Sequence, residues 1–171
     1  MIKAQHYNEH LAMSVLSNLD PHDLIEAQLI RGTYTSHLAL FSDWHACQPQ
    51  AVLSLVLRDE TRASQPFAVV TLHSTGQAGV AQAALLARNH KRHRRALAVA
   101  CRQIREDMPD FCMQYGIHRV EARAHAGHPR ASQFLTLCGF THETDMPGFG
   151  ADGRATFRQF AWTNPELSKG V

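Results

Sequence analysis

The chain has 171 residues, 44% of them hydrophobic and 19% charged, and a formal net charge of +2. That balance suits one folded domain with a sizeable core, and excludes a histone-like polycation. No apolar run approaches the roughly 20 residues needed to cross a bilayer, and the opening MIKAQHYNEH lacks a signal-type apolar stretch, so a cytoplasmic protein without membrane contact is expected.

In chain order, residues 1–6 suit a short strand. Asn8 can cap a helix with Leu11, Val15 and Leu19 at helical spacing. Asp20, Pro21 and Asp23 mark the start of a second helix, and Gly32 its stop. Residues 33–50 stay open between a helix followed by a strand and a strand alone. AVLSLVLR (51–58) reads as a strand, and FAVVTL (67–72) as a central one, because it lacks polar alternation.

From about Ala78 to Met108 the pattern predicts helix, with Leu86, His90, His93, Leu97, Cys101 and Ile104 on one buried stripe and Pro109 as its stop. GIHRVEARAH reads as a strand, and PRASQFLTLCG as a short helix opened by Pro129 and ended by Gly139. FTHET and TFRQFAW (156–162) close the chain as two strands. The core is expected over about 1–163 of a single domain 1–171, followed by a short tail, 164–171.

The four cysteines, Cys47, Cys101, Cys112 and Cys138, contain no CxxC pair, which argues against a zinc ribbon or a disulfide framework. His90 and His93 form one HxxH pair, and His125 and His128 another. Each lacks a carboxylate in its own segment, so no metal site is expected. Arg88, Lys91, Arg92, Arg94 and Arg95 form a basic run without interleaved aromatics. It suits a solvated helix face, with at most weak, sequence-independent nucleic-acid contact through Arg88, Lys91, Arg92 and Arg95.

The order of elements, and above all residues 116–144, resembles the GNAT superfamily of N-acetyltransferases. There a strand of the form RVELxV runs into NPxAxxLYxKxGF, and Pro129, Ala131, Phe134, Gly139 and Phe140 stand at the matching spacings. The resemblance implies an α/β fold with a mixed, strongly twisted sheet flanked by helices on both faces. It also implies acetyl-CoA as cofactor and an amine as acyl acceptor. In that family a loop of the form R/Q-x-x-G-x-G/A, between a strand and a helix, binds the cofactor pyrophosphate through backbone N–H groups.

On that pattern Gly76, Gln77, Ala78, Gly79, Val80 and Ala81 are the expected cofactor loop, with Gly76 in place of the arginine or glutamine. The family's acid, a tyrosine on the short helix, corresponds to Leu135, and its helix-starting asparagine to His128. His73 and Glu121 are the remaining candidates for a base.

A narrower likeness is to small GNAT-like proteins of short-tailed bacteriophages, of the internal virion protein A type. It rests on Asn18 to Gly32, on Arg94-Arg95-Ala96-Leu97 and on GFGADGRATFRQFAW (148–162). It implies an alternative: a catalytically inactive virion or assembly component whose partners are phage virion proteins.

Overall fold

The computed structural model describes residues 1–165. The chain opens with β1 (Ile2–His6), α1 (Glu9–Leu16), α2 (Pro21–Arg31) and α3 (His37–Ala46). It continues through β2 (Ala51–Asp59), β3 (Gln65–Ser74) and β4 (Val80–Ala87) to the long helix α4 (Arg94–Gln114). β5 (Arg119–His125), α5 (Ala131–Leu137), β6 (Thr141–Phe149) and β7 (Ala155–Thr163) complete it. Of the tail expected over 164–171, residues 166–171 lie outside the described residues.

The helix starts follow from local chemistry. Asn8 accepts the Leu11 N–H at 3.1 Å, Asp20 the His22 N–H at 3.1 Å, and Ser36 the Ala39 N–H at 3.2 Å. Each satisfies a donor that the first helical turn leaves without an intrahelical partner. Gly32 ends α2 at φ 71°, a left-handed conformation that favours glycine. The open stretch 33–50 resolves as α3 and a short 3-10 turn, so the strand begins only at Ala51.

The seven strands form one sheet in the order β1-β2-β3-β4-β5-β7-β6, antiparallel at every neighbour except β4 with β5. One face packs on α4 and α5 through Leu72, Ala81, Val120, Ala122, Phe160 and Trp162 against Cys101, Ile104, Phe134 and Leu135. Val56, Val69 and Leu86 meet Ala12, Val15 and Leu16 of α1 and Phe41 and Trp44 of α3 on the other face. The phenyl rings of Phe67 and Phe157 are fully buried, and burial of that kind supplies about 1.5–3 kcal/mol per side chain.

One expectation is overturned. The helix anticipated over 78–108 is strand β4, a turn, and only then α4. Ala81, Ala83, Ala84, Leu85 and Leu86 are good helix formers, but β3 on one side and β5 on the other take this segment as a strand, and tertiary pairing overrides propensity. Pro109 does not stop the helix either: it sits inside α4, which continues to Gln114. His90 and His93 therefore leave the helical stripe and lie in the β4–α4 turn.

Candidate active site: a split strand pair and the start of α4

β4 and β5 pair at only three positions: Val80 with Arg119, Ala81 with Val120, and Gln82 with Glu121. Beyond Gln82 and Glu121 the two parallel strands share no ladder, so their facing edges present backbone groups to a gap. Alternation along a strand fixes which groups these are. The Arg88 N–H turns to Phe67 of β3, at 2.8 Å, so the Ala87 N–H turns into the gap. On β5, Ala126 N–H bonds to Thr156, at 2.8 Å, so the His125 N–H faces the gap too.

α2 closes the open end. Asp23 Oδ2 accepts the Ala87 N–H at 2.7 Å, and Glu26 Oε2 accepts the His125 N–H at 3.0 Å. The Asp20 N–H donates to the Ala87 carbonyl at 2.9 Å. Two carboxylates one helical turn apart thus take the place of strand–strand hydrogen bonds where the pair has separated.

Asp23 is the hub of this closure. Its Oδ1 lies 3.0 Å from His90 Nε2 and 3.1 Å from His128 Nε2, and its side chain is buried. Burial works against its charge, but hydrogen bonds from His128 and His90, the His90 charge and the Ala87 N–H outweigh this and hold the carboxyl below its usual range. Burial likewise opposes the His90 imidazolium, yet its hydrogen bond to Asp23 and the charges of Asp23 and Asp20 raise its pKa. Glu26 is raised, first by burial, with the Asp23 charge acting in the same direction.

One histidine from each HxxH pair therefore shares a carboxylate that neither segment contains. Two imidazoles and a carboxylate are a familiar donor set for a divalent metal. The second nitrogen of His128 does not suit one. Its Nδ1 accepts the Arg130 and Ala131 N–H groups at 3.1 and 2.9 Å, so the ring proton resides on Nε2, facing Asp23. A metal-bound imidazole carries its proton on the other nitrogen and donates it outward. The trio is wired as hydrogen bonds and an ion pair, with His128 also capping the start of α5.

Past Ala87 the chain turns through Arg88 to His93 into α4, whose first turn has no side-chain cap. The N–H groups of Arg94, Arg95 and Ala96 lead this 21-residue helix, and Lys91, Arg92, Arg94 and Arg95 around them are exposed. Cations at the positive end of a helix dipole are unfavourable unless an anion is present. His93, 2% exposed, anchors the turn by stacking on Phe67 with ring centroids 5.4 Å apart.

The segment Gly76–Ala81 lies elsewhere. It forms the β3–β4 hairpin turn and the first residues of β4, and leads into a strand, not a helix. The Gly76 and Gln77 N–H groups donate to Ser74 Oγ and Thr75 Oγ1, both at 3.3 Å, and the Val80 N–H to the Gln77 carbonyl at 3.2 Å. The helix start on which the family's phosphate loop depends is thus absent from this turn. The next helix along the chain begins at Arg94.

Gly79 has a different job. At φ 69°, its carbonyl accepts the His118 and Arg119 N–H groups at 2.7 and 3.1 Å, and a Cβ there would meet the His118 ring at 2.5 Å. Gly79→Ala is expected to destabilise the protein by about 1–3 kcal/mol, read as a lower urea midpoint with an unchanged slope.

His73 and Glu121 stand in one cross-strand row, with Gln82 between them. Glu121 is held by Arg119, whose Nε donates to it at 2.8 Å while the guanidinium also grips Glu143. His73 Nε2 lies 2.8 Å from Thr71 Oγ1, and that hydroxyl donates to the Leu53 carbonyl. Nε2 therefore carries the proton and Nδ1 keeps a lone pair. Burial lowers the His73 pKa, which favours the neutral ring. Leu135 is packed in the core beside α4.

No family model matches the chain, and no curated protein matches it in sequence. Among solved structures it is similar to a GNAT-family acetyltransferase from Bacillus anthracis, with TM-score 0.69, 8% identity and 95% of each chain covered. It is similar as well to spermidine N-acetyltransferase from Vibrio cholerae in complex with CoA and spermine, with TM-score 0.67, 12% identity and 95% of each chain covered. The Salmonella typhimurium protein yncA, with its cofactor acetyl-CoA, matches at TM-score 0.67 and 12% identity over 96% of this chain and 95% of that one. The architecture is the GNAT fold. Among the described residues, no helix is long and apolar enough to cross a membrane.

Proposed function

We propose that the chain is an acetyl-CoA-dependent N-acyltransferase whose cofactor lies in the β4–β5 gap, with its pyrophosphate at the start of α4. One observation carries this reading: the parallel pair splits after three positions and opens beside an uncapped helix start ringed by cations. Facing strand edges without a ladder are where an amide-bearing arm finds hydrogen bonds. The N–H groups of Arg94, Arg95 and Ala96, with Lys91, Arg94 and Arg95, suit a pyrophosphate. The bound cofactor supplies an activated acyl thioester.

For the arm to enter, Asp23 and Glu26 release the Ala87 and His125 N–H groups. His73 then stands one strand from the inner end of the gap, with its Nδ1 lone pair able to take the proton that an ammonium acceptor must lose. A second reading, a binding protein without catalysis, is favoured by the closure of the gap by α2 and by Leu135 in the place of a tyrosine acid.

Release of CoA thiol from acetyl-CoA, with spermidine as the first amine tried, separates the two. The enzyme reading expects thiol release that depends on the amine. Binding of acetyl-CoA with no thiol release across a panel of amines would leave the second. In the active protein, His73→Ala is expected to lower kcat by about 100-fold or more with little change in KM. Because burial lowers the His73 pKa, the acid limb of kcat/KM should fall below the free-imidazole value of about 6.5. An unchanged kcat would remove His73 from the mechanism.

A further inference from the structure

We propose that the hollow between the α1–α2 connection, the first residues of β3 and the β4–α4 turn binds a phosphate monoester. This cavity of about 340 Å³ is lined by Asn18, Gln65, Arg88, Asn89, Arg92 and His93, together with Leu19 and Pro21. It is at the small end of the roughly 300–1,000 Å³ typical of ligand sites, yet larger than a bare ion needs. Among the described residues, no carboxylate lines it.

The neighbouring acids are committed elsewhere. Asp20 accepts the His22 and His90 N–H groups, and Asp59 accepts from Thr61 and lies against Arg62 and His93. Two guanidiniums, Arg88 and Arg92, therefore share one wall without a counter-ion among the described residues. Arg88 is half-buried and pinned by Nη1 to the Pro66 carbonyl at 3.3 Å. The backbone N–H of Arg92 donates to Asn89 Oδ1 at 2.9 Å, which fixes the Asn89 amide so that its NH2 remains a donor. The floor is the buried His93, whose Nδ1 lies 3.5 Å from Asp59 Oδ2 and is thereby turned to that carboxylate.

The positive field registers on its neighbours. Burial and the Arg92 charge both lower the Arg88 pKa, and burial together with the Arg62 and Arg88 charges lowers His93 despite its contact with Asp59. An anion between Arg88 and Arg92 relieves that repulsion. A phosphomonoester offers a double charge and oxygens for guanidinium forks. Asn89 and Gln65 supply polar contacts to the rest of such a ligand. This site does not depend on acyl transfer, because its ligand is read in the chain alone.

The test is isothermal titration of the full chain with adenosine 5′-monophosphate, with adenosine as the control. Saturable binding that adenosine does not compete for is expected. Arg92→Glu should weaken it by at least about tenfold, and Arg95→Glu, outside the hollow, should change it by less than about twofold. Arg92 is exposed, so its variant should melt like the parent. Displacement of the monophosphate by CoA but not by dephospho-CoA would identify the coenzyme's own phosphate as the source; displacement by neither would identify a separate phosphorylated metabolite. No binding at millimolar monophosphate, equal competition by adenosine, or equal losses in Arg92→Glu and Arg95→Glu would overturn the proposal.

Discussion

Replacing Asp23 with alanine is expected to destabilise the protein by about 3–5 kcal/mol, the cost of removing one partner from a buried ion pair. At this chain length that corresponds to a fall in Tm of about 10 °C. The change strands several groups at once. The Ala87 N–H, the Nε2 proton of His128 and the His90 ring all lose their acceptor in a place that water reaches poorly. Glu26 stays near but is engaged with His125, so it cannot replace Asp23 without giving up that bond.

The same hub fixes a pH signature. The Asp23 pKa is depressed in the fold, so its contribution is present above the unfolded value near 3.9 and lost as pH falls through the folded one. The His90 pKa is raised, so its contribution is complete below about 6.5 and lost as pH rises through the folded value. The cluster therefore stabilises most in mildly acidic solution. Asp23→Ala should lose stability most there and flatten both limbs of the profile. Urea melts of parent and variant from about pH 3 to pH 9 check this, and a variant within about 1 kcal/mol of the parent throughout would contradict it.

The second large effect runs in opposite directions for stability and binding. In Arg94→Glu/Arg95→Glu, acids replace cations at the positive end of α4. Without ligand this should stabilise the protein by about 1 kcal/mol at low salt, raising Tm by roughly 2–4 °C. With acetyl-CoA it should weaken binding by at least about 100-fold, because charge-assisted contacts to phosphate, worth about 1.5–3 kcal/mol each, become repulsions. Thermal melts and isothermal titration on the same samples check both signs. A variant that loses stability and affinity together would indicate damage to the fold instead.

Much of this architecture is legible in the sequence wherever local chemistry decides. Asn8, Asp20 with Pro21, and Gly32 mark helix ends that the structure keeps, while 33–50, whose periodicity left two readings, is settled only by the structure, where Ser36 caps α3. The alternating strand β5 and the turn into α5 carried the family resemblance. β4 was lost because its alanines and leucines favour helix in isolation, and only β3 and β5 make it a strand.

That single misreading moved the expected helix start. With β4 read as helix, the start of a helix fell at Gly76–Ala81. With β4 as a strand, it falls at Arg94, within the basic run that sequence had assigned to a solvated face. The Asp23–His90–His128 hub was out of reach for another reason. Asp23 looked like an ordinary first-turn acid, and His128 is 105 residues away. Each histidine sits in an HxxH pair whose other member takes no part, so spacing pointed to the wrong partners.

The most direct test of the account follows the amide resonances of Ala87 and His125 as acetyl-CoA is added. If the arm enters the β4–β5 gap, both resonances shift in a saturable way as their N–H groups exchange the carboxylates of Asp23 and Glu26 for the ligand, and the amides of Arg94 to Ala96 shift with them. If acetyl-CoA reaches millimolar concentration with the Ala87 and His125 resonances unmoved, the gap stays closed, and the cofactor site proposed here does not exist.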